Sequence, residues 1–132
     1  MFKAETIMKT DLITAQRQDP IYEAIRTLVD NNITGLPVVD DDMNLVGVIT
    51  EKDVLSLLYD NRDESGKVED FMTEKVISFD PGDSLIDIAD SFINNHFRRV
   101  PIVTNGKLVG IISRKDIIAY ILKLRHKDIA GV

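Results

Sequence analysis

The chain contains no cysteine, only two histidines and no long apolar run. Without cysteine there is no disulfide scaffold, no thiolate zinc or iron–sulfur site and no cysteine nucleophile. Two histidines, His96 and His126, are too few for a histidine-rich metal site. No stretch approaches the roughly 18 apolar residues of a membrane span. Met1-Phe2-Lys3-Ala4-Glu5-Thr6 has no apolar core of a secretory signal. Basic residues are outnumbered, 16 to 22, for a net charge of −6 and a pI near 4.8. Nucleic-acid affinity rests on neutralising phosphates with Lys and Arg, so general binding to DNA or RNA is not expected. A local basic cluster could still hold one small anion. There is no Gly-rich phosphate loop, G-x-S-x-G, H-E-x-x-H or Ser/His/Asp set, so the chain is not expected to be an enzyme. These absences point to a cytoplasmic protein with no membrane partner and no metal.

What is present is a repeat. Ile13, Asp19, Asn31 and Pro37 recur 64 residues later as Ile77, Asp83, Asn95 and Pro101. One residue fewer in the turn after Val103 makes the offset 63. Leu45-Val46-Gly47-Val48-Ile49-Thr50 then matches Leu108-Val109-Gly110-Ile111-Ile112-Ser113, and Lys52-Asp53 matches Lys115-Asp116. The expected organisation is a domain over 6–58, a polar linker over 59–69, a second domain over 70–122 and a tail over 123–132.

Ile21, Ala24, Ile25, Leu28 and Val29 make one apolar stripe of a helix, and Leu85, Ile88, Ala89, Phe92 and Ile93 repeat it in register. Leu36–Val39 and Val100–Val103 read as buried strands, and proline at the second position suits a strand start or an edge. Asp40–Asn44 and Thr104–Lys107 are polar turns leading into strands that carry Gly47 and Gly110. Glycine there marks a bulge or the close approach of another backbone. Short strands, Leu12–Ala15 and Val76–Phe79, open the repeats; second helices, Lys52–Leu58 and Arg114–Leu124, close them. Each unit is thus β-α-β-β-α, an α/β (α+β) fold. A unit of roughly 55 residues buries little alone. The two are expected to pack face to face about a pseudo-two-fold axis, forming two equivalent clefts.

Gly35-Leu36-Pro37-Val38-Val39-Asp40 followed by Leu45 to Asp53, with Arg99 to Val103 and Leu108 to Asp116 as a second copy, resembles a tandem CBS domain pair, the Bateman module. The likeness runs from about Thr6 to Ile121, and its specificity lies in two full copies in order and in register. It implies a regulatory module of the stand-alone type that binds AMP, ADP, ATP or S-adenosylmethionine, with no obligatory cofactor. It also implies pairing into a homodimer and an effector protein that the sequence does not name. A purely structural dimerisation module is the alternative.

Thr50-x-x-Asp53 and Ser113-x-x-Asp116 lie at strand-to-helix junctions. By spacing they are capping boxes, the hydroxyl capping the helix and the acid reaching back. The same helix ends present free N–H groups to a phosphate. The resemblance implies that the hydroxyl meets phosphate and the aspartate meets the ribose hydroxyls. It also implies ligand-facing roles for Thr34 and Gly35 in the first copy, for Arg98 and Arg99 at the same place in the second, and for Ile13 and Ile77 along the adenine slot. Because the arginines occur in one copy only, the two clefts are expected to differ in charge. Asp40-Asp41-Asp42 reads as a solvated turn, His96 as a helix-end residue, and Lys123, Arg125, His126 and Lys127 as cations complementing the dipole of the last helix.

Overall fold

A computed structural model describes residues 2–59 and 66–130, with side chains of the last helix up to Arg125. The linker stretch Asn61–Ser65 and the tail cations His126 and Lys127 lie outside that description. The elements are α1 (Ala4–Ile7), α2 (Ile21–Asn31), β1 (Leu36–Val39), β2 (Leu45–Ile49), α3 (Glu51–Leu55) running into a 3-10 turn (Ser56–Tyr59), α4 (Val68–Phe71), α5 (Leu85–Asn94), β3 (Arg99–Thr104), β4 (Lys107–Ser113) and α6 (Arg114–Ala130). Strands β1 and β2 form one two-stranded antiparallel sheet and β3 and β4 another. Leu36 pairs with Ile49 and Val38 with Gly47, and a bulge follows at Val38/Val39.

Residues far apart in sequence share one local job in each repeat. The Asp19 carboxylate accepts from the backbone N–H of Gln16 at 2.9 Å, and Asp83 does the same for Asp80 at 2.8 Å. Asn31 and Asn95 each donate their side-chain amide to the carbonyl four residues back, Thr27 and Ser91, at 2.8 Å. Proline has no N–H to give. Pro37 and Pro101 instead offer their carbonyls to Ala15 at 2.9 Å and Phe79 at 3.1 Å.

Those contacts correct the expected opening strands. Among the described residues, Leu12–Ala15 and Val76–Phe79 form no strand and pair through single parallel bridges, Ala15 with Val38 and Phe79 with Ile102. The second helix of the first copy is also shorter than expected, stopping at Leu55 before the 3-10 turn. Helices α1 and α4 are four residues each, too short to print an apolar period.

The chain resolves into two compact units that do not coincide with the two copies. One comprises Ser78–Thr104, the residues from Val109 on, and the N-terminal segment up to Leu12. Its core holds Ala4 of α1, Ile88 and Phe92 of α5, Val100, Ile102 and Ile112 of the sheet, and Ile117 of α6. The other comprises Ile13–Ile77 with residues 105–108. Its core holds Ile21, Ala24 and Leu28 of α2, Leu36, Val38 and Ile49 of the sheet, and Val68 of α4. Each fully buried aliphatic side chain contributes about 1.5–3 kcal/mol by leaving water. The lead-in segment of each copy therefore completes the core around the other copy's hairpin.

Candidate functional site

In the unit spanning Ile13–Ile77, β2 ends at Ile49, Thr50 is the N-cap, and α3 begins at Glu51. Thr50 Oγ1 accepts from Asp53 N–H at 3.2 Å, and Asp53 Oδ2 accepts from Thr50 N–H at 2.9 Å. This closed capping box satisfies two N–H groups that the helix start would otherwise leave open. A third residue joins it. Thr73 Oγ1 donates to both oxygens of Asp53, at 3.1 and 3.0 Å. The segment after α4 lies along β2, where Val48 and Thr73 exchange both backbone hydrogen bonds at 2.8 and 2.9 Å. Gly47 permits this approach: a Cβ there would stand 3.0 Å from the Thr73 carbonyl oxygen and 2.9 Å from Met72 Sδ.

The other unit repeats the construction with one change. Ser113 Oγ accepts from Asp116 N–H at 3.1 Å, and Asp116 Oδ2 accepts from Ser113 N–H at 2.8 Å. The N-terminal segment lies along β4, Lys9 and Ile111 exchanging backbone bonds at 2.9 and 3.0 Å. Gly110 makes room for Met8, whose Sδ would stand 2.6 Å from an added Cβ. At the position of Thr73 stands Lys9, its ammonium 3.3 Å from Asp116 Oδ1.

Arg99 opens β3 in this second unit and is half-buried. Its Nε is buried with no hydrogen-bond partner among the described residues. Burial pulls the guanidinium pKa down from its ordinary value, and the Asp116 charge opposes that pull. Arg98 is exposed, and its carbonyl accepts from Arg114 N–H at 3.0 Å. Arg114 also donates to the Phe92 carbonyl at 3.0 Å, tying the start of α6 to the end of α5. In the unit of Thr50, the place of these arginines is taken by half-buried Thr34 and buried Gly35. Ile13 and Ile77 are both exposed and both fall in the unit that holds Thr50 and Asp53. Ser113 and Asp116 therefore share a unit with Arg98 and Arg99 and not with Ile13.

The three acids at 40–42 are a turn. Asp40 Oδ1 accepts from the N–H groups of Asp42 and Asn44, and its Oδ2 from the Asn44 amide. These donors, the Asn44 side chain first, hold its carboxyl below the usual aspartate range. No group of three or more metal-ligating residues occurs among the described residues. No helix among them is long and apolar enough to cross a membrane. His96 is exposed, just beyond the end of α5.

Lys9 and Thr73 were not singled out from sequence. Carrying the 64-residue offset back to Met8 and Met72 would have aligned them. The CBS domain profile matches twice, over residues 4–60 and 68–123. The chain belongs to the CBS domain family. It is 42% identical over 112 residues to the uncharacterised protein MJ1225 of Methanocaldococcus jannaschii, a match covering 85% of this chain but only 40% of that protein. It is 34% identical to YlbB of Bacillus subtilis, covering 89% of this chain and 80% of that one. Among solved structures, CBSX2 of Arabidopsis thaliana, crystallised with AMP, superposes with a TM-score of 0.85 at 28% identity, covering 95% of this chain and 99% of that one. The CBS domain pair of MJ0100, crystallised with 5′-methylthioadenosine and S-adenosyl-L-methionine, gives 0.80 at 30% identity, covering 92% and 96%. The CBS domains of this chain thus share their fold with pairs that were crystallised with adenosine compounds.

Proposed function

We propose that this CBS pair is a regulatory module that binds adenosine-containing ligands, AMP, ADP, ATP or S-adenosylmethionine among them, and performs no catalysis of its own. One observation carries the reading: each repeat brings a hydroxyl, a carboxylate and a donor from the opposing lead-in segment together at a helix start. A carboxylate accepts up to about four hydrogen bonds. Asp53 and Asp116 thus keep lone pairs for ribose hydroxyls while still capping their helices. The hydroxyls of Thr50 and Ser113, placed at helix starts, suit phosphate. Thr34, Gly35, Arg98 and Arg99 are the phosphate-side residues of this reading, and Ile13 and Ile77 offer exposed apolar faces to an adenine. The AMP, methylthioadenosine and S-adenosylmethionine complexes of the structural relatives support the same ligand class.

In this reading the protein is cytoplasmic, needs no metal or cofactor, and passes the ligand signal to an effector protein. A structural dimerisation module is the second reading. It is favoured by the exposed apolar residues Ile118, Ile121 and Leu122 of α6 and Leu55, Leu58 and Tyr59 near α3. Thermal melting separates the two. A ligand at about 100 times its Kd stabilises the fold by about 2.7 kcal/mol. No shift with any of AMP, ATP, S-adenosylmethionine or 5′-methylthioadenosine at millimolar concentration would leave the structural reading. Mass spectrometry of small molecules carried through native purification identifies the ligand directly.

A further inference from the structure

The two repeats differ at the position from which the lead-in segment reaches the capping carboxylate. Lys9 and Thr73 are equivalent: each pairs, backbone to backbone, with the residue two before the capping hydroxyl, Ile111 before Ser113 and Val48 before Thr50. Thr73 gives Asp53 a neutral hydroxyl. Lys9 gives Asp116 an ammonium at 3.3 Å, and its side chain is 70% exposed while that of Asp116 is 12% exposed. The ammonium is held at its root by the strand pairing and remains in water at its tip. It can turn from the carboxylate to a ligand anion without breaking a backbone bond. Arg99, in the same unit, adds a guanidinium whose buried Nε has no partner among the described residues. The equivalent of Arg99 in the first copy is Gly35, which has no side chain.

Resting on the adenosine-binding reading above, we propose that the two sites are tuned to ligands of different charge. Lys9, with Arg99, makes the Ser113–Asp116 site selective for a nucleotide bearing phosphate. The Thr50–Asp53 site, with Thr73 in place of the lysine, takes a neutral or cationic nucleoside without phosphate. Lys9 is a specificity-determining residue here. When phosphate takes its ammonium, Oδ1 of Asp116 becomes available to the ribose, while Oδ2 keeps the Ser113 N–H.

Calorimetry on the intact chain tests this with AMP and 5′-methylthioadenosine as probes, at low and at high salt. Wild type is expected to show one site preferring AMP and one preferring methylthioadenosine. Lys9→Thr, which recreates the Thr73 arrangement, should weaken AMP at the first site by about two- to fivefold, the range of an exposed charge–charge contact. Methylthioadenosine affinity at the Thr50–Asp53 site, which lies in the other unit, should not change. The loss should shrink as salt rises, because the contact is exposed to screening. Lys9→Arg should keep the AMP preference, and Thr73→Lys should raise AMP affinity at the other site. Melting curves of the variants check that they fold. Binding of both probes with an AMP-to-methylthioadenosine ratio unmoved by Lys9→Thr overturns this proposal while leaving the adenosine-binding reading standing. Binding of neither probe by wild type overturns both.

Discussion

Asp53 and Asp116 each carry two duties, and the duties separate by measurement. As the acids of their capping boxes, each holding the N–H of its N-cap residue, they are worth about 0.5–1.5 kcal/mol. As acceptors of ribose hydroxyls they would contribute about 1.5–3 kcal/mol, roughly 10- to 150-fold in affinity. Asp53→Ala and Asp116→Ala should each lower the melting temperature slightly and remove one of two ligand sites by calorimetry. A loss of stability with both sites intact would reduce the motif to a cap. Asp40 has a different role, since its donors hold the turn before β2 and depress its pKa. A carboxyl whose folded pKa is depressed contributes stability above its unfolded value, and loses it as pH falls through the folded one. That window lies below the ordinary aspartate value of 3.8. Asp40→Asn should therefore show a smaller drop in melting temperature than wild type on acidification below about pH 4.

At the scale of elements, the repeat was legible because its residues do local, periodic work. The stripes of α2 and α5, the paired asparagines and the aspartate turns all print themselves in sequence. The glycines of β2 and β4 signalled a close backbone approach, and that approach is real. Its other half was illegible, because Met8-Lys9 and Met72-Thr73 follow helices of one turn and pair with strands through two hydrogen bonds each. Such contacts depend on tertiary placement, which no local period records. The opening strands failed for a related reason: a single bridge gives Leu12–Ala15 no alternation to enforce. The glycines provide the test of these docked segments. Gly110→Ala would force its Cβ against Met8, with Sδ at 2.6 Å and Cγ at 2.8 Å. Overpacking of this kind costs about 1–3 kcal/mol. Adding Met8→Ala removes both of those atoms and should recover part of the loss in denaturant melts. Equal costs for the single and double variants would mean the clash is relieved elsewhere.

For the whole molecule, the remaining question is what covers its apolar surface. Scattered apolar residues on a surface are ordinary, whereas contiguous ones mark an interface. Residues 118, 121 and 122 fall within little more than one turn of α6, and Ile118 is 65%, Ile121 53% and Leu122 70% exposed. Ile117 on the same helix is buried in the core of its unit, so the helix divides its apolar residues between an inner and an outer face. Leu55, Leu58 and Tyr59 make a second outward cluster around the 3-10 turn. Both clusters follow a capping box, so they occupy the same place in the two copies. A two-fold interface needs a patch that complements itself, and paired copies of one helix satisfy that requirement. We expect a homodimer, the arrangement that the sequence resemblance implies. Ile118→Glu with Ile121→Glu places charge on the outer face of α6 without touching Ile117, so the unit should keep its fold by circular dichroism. Light scattering at tens of micromolar should then report a dimer for wild type and a monomer for the double variant. A wild-type monomer would count against the interface. A double variant that stays dimeric would move it from α6 to the cluster around Leu58.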